Sequence, residues 1–328
     1  MSKVLITTVP FGVIDRYPLD LLEKHDITYL INPLGKKLTE SEQIDLVEDC
    51  EVIIAGTEEI TEKVMLAAKN LRLISRVGIG LDSVDLLAAK KHDISVSYTP
   101  DAPAPAVADL TMGLMYSTLR NVHIANHHMH QGNWNRFFGK RLTESKIGII
   151  GAGRVGGRVI RNLKALGCKS IIYFDENVRL DIEDNKQIKF ATIQEILKQS
   201  DIISLHVPLD SKTEKMITLR ELQIMKHSAI IINTARGGII NELDLEIALR
   251  DKIIAGAAID VFEMEPYNGT LANYDNCLLT SHMGSMTEDC RTKMEVEATE
   301  EAVRFIINSE QKQPVPEAEY TIRIENNK

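Results

Sequence analysis

The segment KIGIIGAGRVGGRVIRNLKALG, residues 146 to 167, narrows most sharply what this chain can fold into. A short apolar run ends in a glycine-rich turn, and the turn opens directly into a helical pattern. Strand, turn and helix in that order begin a βαβ unit, which requires a parallel sheet with crossover helices. The surrounding chain repeats the pattern. From Lys3 to about Thr99, the β-rich runs KVLIT, ITYLI, EVIIA, LRLISRV and ISVSY alternate with helical segments such as TEKVMLAAKN and VDLLAAKK. A second series runs through KIGII, SIIYFD, DIISLHVP, AIIINTA, AGAAIDVF and CLLTSH, which predicts a six-stranded sheet.

Between the series, TPDAPAPAVAD gathers Pro100, Pro103 and Pro105, breaks the rhythm and leads into an apolar helix from about Val107 to Leu119. That marks a domain boundary. A helix from about Thr287 to Ile307 follows the second series and is expected to return to the first domain, before a polar end with Pro314 and Pro316. At 328 residues the chain exceeds what one core usually holds, so two domains are expected. The net charge of −9 argues against a nucleic-acid surface but leaves room for a local anion pocket. Cys50, Cys168, Cys277 and Cys290 are scattered without a C-x-x-C pair, so reduced thiols and a cytoplasmic location are expected. The first residues read as a strand rather than a signal peptide, and no apolar run is long enough to span a membrane.

Within GAGRVG, Gly151 permits the tight turn, Gly153 lets backbone approach a pyrophosphate, and Gly156 lets helix and strand pack. Arg154 and Val155 then start the helix, whose N-terminus faces the anion. The next strand ends in Asp175, 19 residues beyond Gly156. A carboxylate there accepts hydrogen bonds from the adenosine ribose and repels a 2′-phosphate, so NAD is favoured over NADP.

Three further motifs follow apolar strands: NTARGG with Arg236, AAIDVFEMEP with Asp260 and Glu265, and LLTSHMG with His282. Ligands of open α/β sheets bind beyond the carboxyl ends of strands, so Arg236, Glu265 and His282 should converge on the nicotinamide site. Hydride transfer to or from nicotinamide is coupled to a proton transfer on the substrate, and an imidazole can take or give that proton near neutral pH. His282 is the candidate. Arg236 offers a permanent charge and a planar fork to a substrate carboxylate. In the first series, RVGIG places Arg76, Val77, Gly78 and Ile79 after a strand, where the Gly78 and Ile79 N–H groups could receive the same carboxylate.

With RVGIGLDSVDL, GAGRVG, HVPL, NTARGG, AIDVFEMEP and SHMGS in order, the chain resembles the D-isomer-specific 2-hydroxyacid dehydrogenase family over nearly its whole length. The resemblance implies an α/β fold of two doubly wound domains: a Rossmann NAD-binding domain, residues 101–287, inserted in a flavodoxin-like substrate domain, residues 1–100 and 288–328. It assigns Glu265 to holding and charging His282, Asp260 to the nicotinamide carboxamide, and His206, Pro208 and Thr213 to the adenosine side. Thr234, Ala235 and Gly284 join these cofactor contacts. The sequence departs from the family's pattern in Ser281, where a proline is frequent, and Asp109, where glutamate is common. Neither removes a reacting group.

Among family members the chain is most similar to D-3-phosphoglycerate dehydrogenases, through SRVGIGLDSVDL, GNWNR and NTARGGIINE. That likeness implies a substrate phosphate held by Arg76 and by Arg136 of the G-x-W-x-R segment Gly132, Trp134, Arg136. Only about twenty residues follow Ile307, so no appended regulatory domain is expected. Hydroxypyruvate or glyoxylate reductases and D-lactate-type dehydrogenases share the reacting residues and stand as alternatives. The C-terminal-binding corepressors, which have this fold but act by binding peptides, are an alternative of another class. A homodimer through the nucleotide domain is expected, because the helix from Val107 and its extension through Trp134 must bury an apolar face. His123, His127 and His130 would share one face of a helix continuing from Leu119. That spacing suggests a solvated or interface face rather than a metal site, since no acidic or cysteine ligand accompanies it.

Overall fold

The computed structural model describes residues 3–179, 181, 187–317 and 319–321. The chain divides into two compact units, one of residues 1–103 and 286–328, the other of residues 104–285. The end of the substrate domain expected from sequence, residues 322–328, lies outside the described residues.

The first unit is a parallel sheet of β1 (Lys3–Ile6), β2 (Thr28–Ile31), β3 (Val52–Ala55), β4 (Leu73–Arg76) and β5 (Ser95–Ser97), in the order β2-β1-β3-β4-β5. The order is that of doubly wound, flavodoxin-like sheets. β3 and β4 are buried at every residue, as parallel strands covered on both faces must be. Side chains start the helices between them: Thr39, in a capping box with Glu42, begins Glu40–Val47, and Thr61 and Asp85 cap Glu62–Ala67 and Leu86–Lys91. The late helix Glu288–Asn308 packs on this sheet, where the Ser75 hydroxyl donates to the Ala298 carbonyl at 2.8 Å. Arg291 donates to Thr8, to the Pro10 carbonyl and to Glu295, and Glu295 accepts the Gly12 N–H, so the helix also fixes the loop after β1.

Among the described residues the second unit holds seven parallel strands: β6 (Lys146–Ile150), β7 (Ser170–Phe174), β8 (Ile188–Phe190), β9 (Ile202–Leu205), β10 (Ile230–Asn233), β11 (Gly256–Ile259) and β12 (Cys277–Leu279). Their order, β12-β11-β10-β9-β6-β7-β8, is the Rossmann arrangement with one strand added. The six strands expected from sequence are all present, and β8 is the correction. It has three residues, lies at the sheet edge and buries only Ile188, so its sequence carries no apolar run.

The helix Pro103–Leu119 starts four residues before the expected Val107. Pro103 and Pro105 sit in its first turn, where backbone N–H groups have no intrahelical acceptor and proline costs nothing. The helix does not continue through the histidines. Asn121 takes a left-handed conformation, φ 51°, and a separate helix, Val122–His130, follows. There His123 Nε2 lies 3.1 Å from the Asp275 carbonyl and His127 Nε2 lies 2.7 Å from Gln131 Nε2. Among the described residues no group of three His, Cys, Asp or Glu side chains is arranged to hold a metal. All four cysteines are buried and outside any disulfide, and burial pushes the Cys277 thiol up to about 12. Among the described residues no helix is long and apolar enough to cross a membrane.

Candidate active site

The turn after β6 is shaped by what a side chain would hit. Gly151 has φ 91°, and a Cβ there would lie 2.5 Å from the His206 carbonyl oxygen. A Cβ on Gly156 would overlap the Gly151 carbonyl, which keeps the helix Arg154–Ala165 tight against the turn. Gly153, the N-cap of that helix, faces open space. Directly after β7, the Asp175 carboxylate accepts the Ala152 N–H at 2.7 Å and the Asn177 N–H at 3.1 Å. Arg179 adds a hydrogen bond to the Ala152 carbonyl and pairs with Asp181. The donor set fits a dinucleotide: an open glycine at a helix N-terminus for the pyrophosphate, and a carboxylate tied to the same turn for the ribose.

His206, Pro208 and Thr213 share the loop after β9. The Thr213 hydroxyl donates to the Pro208 carbonyl at 2.6 Å and accepts the Asp210 N–H at 2.8 Å. His206 places Nε2 2.9 Å from Ser204 Oγ, while Nδ1 is buried without a hydrogen-bond partner. Burial pushes its pKa down to about 3, so the ring is neutral and is no general acid near neutral pH.

Three strand ends of the same sheet build the opposite part of the site. β10 ends in Asn233, buried, whose side chain accepts the Ala235 N–H at 3.0 Å and donates to the Arg236 carbonyl at 2.8 Å. The Thr234 hydroxyl lies 2.8 Å from that of Thr111 in the helix Pro103–Leu119. This fixes the loop bearing Arg236. A Cβ on Gly237 would overlap the Phe262 carbonyl and crowd the Glu263 nitrogen, so the Arg236 loop lies directly on the turn that carries Glu265.

Asp260 follows β11 and is 1% exposed. Its carboxylate accepts the Thr280 hydroxyl at 2.6 Å and the N–H groups of Met283 at 2.9 Å and Gly284 at 3.0 Å, while its carbonyl accepts the His282 N–H at 2.8 Å. His282 itself has φ 49°, a left-handed conformation uncommon outside glycine, and Asp260 grips the chain on both sides of it. Glu265 completes the arrangement. Its Oε1 accepts the Phe262 N–H at 3.1 Å and its Oε2 lies 2.7 Å from His282 Nδ1. A carboxylate on Nδ1 leaves Nε2 as the nitrogen able to exchange a proton with a ligand. Glu265 and His282, 17 residues apart in sequence, are thus joined directly.

In the first unit, Arg76 ends β4 but is 6% exposed, and its guanidinium donates back to the Val77 carbonyl beneath Gly78. Gly78 has φ 142°, and its N–H donates to Thr99 Oγ1 at 2.8 Å. One of the two N–H groups expected to receive substrate is therefore engaged inside the unit. Arg136 lies exposed in the second unit, in the irregular segment after the histidine helix. The sequence reading passed over Asn233, Thr111, Gly237 and Thr280. Asn233 and Gly237 flank Arg236 in NTARGG, so the motif held that signal, whereas Thr111 reaches the site only through packing.

A glycine turn at a helix N-terminus, an acid at the next strand end and a carboxylate–imidazole pair beyond β11 and β12 make the kind of site that NAD-dependent oxidoreductases use. The NAD-binding domain of the D-isomer specific 2-hydroxyacid dehydrogenases matches residues 112–284, more than half of the chain, and the chain belongs to that family. It is 38% identical over 260 residues to D-3-phosphoglycerate dehydrogenase of Methanocaldococcus jannaschii, a match covering 77% of this chain and 49% of the relative. The chain therefore spans about half the length of that protein. It is 33% identical over 297 residues to hydroxypyruvate reductase of Thermotoga maritima, covering 86% of this chain and 94% of the relative. The crystal structure of a glyoxylate reductase from Paecilomyes thermophila superimposes with a TM-score of 0.84 at 28% identity, covering 97% of this chain and 99% of that one.

Proposed function

We propose that the chain moves a hydride between NAD and the 2-carbon of a small D-2-hydroxy acid, with His282 as the acid–base group, Glu265 as its charge partner and Arg236 as the carboxylate anchor. The observation carrying this is the 2.7 Å contact between His282 Nδ1 and Glu265 Oε2. Bound NAD supplies the hydride acceptor, and NADH the donor. Gly151, Gly153, Gly156, Arg154 and Val155 would hold its pyrophosphate, Asp175 its ribose, and Asp260 its carboxamide. In the oxidative direction, His282 Nε2 takes the hydroxyl proton and Glu265 stabilises the resulting imidazolium. In the reductive direction, the same nitrogen returns the proton to the keto oxygen. Arg236 orients the substrate carboxylate so that C2 faces the hydride path.

The 3-phosphoglycerate and phosphohydroxypyruvate pair is the first substrate reading, supported by the 38% identity to the M. jannaschii enzyme and by the arginines at positions 76 and 136. Burial of the Arg76 guanidinium against the Val77 carbonyl favours a second reading, an unphosphorylated acid such as hydroxypyruvate or glyoxylate. NADH oxidation with phosphohydroxypyruvate, hydroxypyruvate, glyoxylate, pyruvate and 2-ketoglutarate decides between them. Highest kcat/KM with phosphohydroxypyruvate supports the first reading, and no turnover with any of the five overturns the proposed reaction.

The assembly we propose is a homodimer through the second unit. Trp134 is 79% exposed, Phe138 fully so, and Val122 and Met129 about half, an apolar surface that a second copy would cover.

A further inference from the structure

Glu242 opens the helix Glu242–Arg250, whose N-cap Asn241 accepts the Asp244 N–H at 3.1 Å. The cap leaves the Glu242 side chain free to act elsewhere, and its Oε1 accepts the Glu263 N–H at 2.7 Å. The preceding amide, that of Phe262, is bound by Glu265 Oε1. Two carboxylates from separate segments therefore grip two consecutive amides of one turn. The loop of Arg236 rests on the same peptide through Gly237, so the supports of Arg236 and Glu265 meet at Phe262 and Glu263, and His282 joins them through Glu265.

We infer that Glu242 is a positioning residue for the Glu265–His282 pair, holding through the Glu263 amide the turn from which Glu265 reaches His282 and adding its negative charge behind that pair. The inference rests on the roles proposed above for Glu265 and His282.

A hydrogen bond alone would not need a carboxylate. Burial, with the charges of Glu263 and Glu265, raises the Glu242 carboxyl above its ordinary range, so a carboxylate at this position costs more than one at the surface. A glutamine would accept the same N–H without that cost. The titratable groups that interact with Glu242 are Glu263, Glu265, Tyr267 and Cys277, and Glu265 in turn contacts His282. Of these, the imidazolium formed during turnover is the one a further negative charge favours.

Glu242→Ala and Glu242→Gln in the full chain, assayed by NADH oxidation with the best keto acid of the panel, test this. Glu242→Ala should lower kcat about 10-fold, as a displaced reacting group does, with KM for NADH within about twofold of wild type. Glu242→Gln keeps the acceptor and should recover most of kcat, while the alkaline limb of the reduction profile moves toward acid. Wild-type kcat and profile in both variants would overturn the inference, as would an equal loss in both with raised KM for NADH. If Glu242→Ala does not fold, an unmoved alkaline limb in Glu242→Gln overturns it. His282→Ala, assayed alongside, separates the two levels. Should it keep turnover, the underlying acid–base reading falls; should it be inactive while both Glu242 variants match wild type, only this inference falls.

Discussion

Asp260 and His282 are joined by a hydrogen bond from the His282 N–H to the Asp260 carbonyl at 2.8 Å, and the Asp260 carboxylate holds Thr280, Met283 and Gly284 around it. The His282 backbone is thus fixed without help from its side chain. Replacing the imidazole should remove the proton donor and leave the loop in place. His282→Ala should cost at least about 100-fold in turnover with nearly unchanged NADH affinity, read by steady-state kinetics and NADH fluorescence titration. His282→Asn, whose side chain tolerates positive φ better than alanine, should show the same loss.

Glu265→Gln keeps a group opposite His282 Nδ1 but removes its charge. Reduction needs protonated His282, and without the carboxylate that form is favoured less, so the alkaline limb should move toward acid, with a smaller loss at the new optimum. An unchanged profile would place the pair's effect elsewhere. Arg236→Lys keeps charge but loses the fork, and should raise KM for the keto acid as well as lower kcat.

The Asp175 carboxylate accepts the Ala152 N–H in the glycine turn and, in the cofactor site proposed above, would stand where a 2′-phosphate approaches. Asp175→Ala should therefore weaken NADH binding while narrowing the preference for NADH over NADPH, measured as the ratio of kcat/KM values. Wild-type NADPH efficiency equal to that of NADH would contradict the assignment.

His206 is held neutral, its pKa pushed from 6.5 to about 3 by burial. Between those values the unfolded chain binds the extra proton and the folded chain does not. This contribution to stability is intact above about pH 6.5 and is lost progressively as pH falls toward 3. Melting temperatures between pH 6.5 and 5, above the carboxylate range, should fall less steeply in His206→Gln than in wild type. Equal slopes would mean that His206 is protonated in the fold.

If Trp134 and Phe138 face a second copy, light scattering at micromolar concentration should give twice the chain mass, and Phe138→Asp should give a monomer. A monomeric wild type would refute the proposed assembly.

Local chemistry made much of this molecule readable from sequence. Parallel strands buried on both faces appear as apolar runs, which is why β3, β4, β9 and β10 stand out. The strand, glycine turn and helix at 146 to 167 carry their own geometric requirement, and Asp175, Arg236, Glu265 and His282 sit at strand ends where such sheets bind ligands. Tertiary structure decided the rest, because the deciding partner lies far along the chain or the local signal is weak. β8 is a strand by virtue of pairing with β7, since one buried residue in three leaves no apolar pattern. The close approach of the Gly78 turn to Arg76 and the bond from the Gly78 N–H to Thr99, beyond β5, likewise depend on how the strands pair. The contacts of Gly237 with Phe262, Glu242 with Glu263 and Asp260 with the His282 loop arise from the order of strands in the sheet. Sheet order brings β10, β11 and β12 side by side, and no residue in any one of these loops specifies its neighbour.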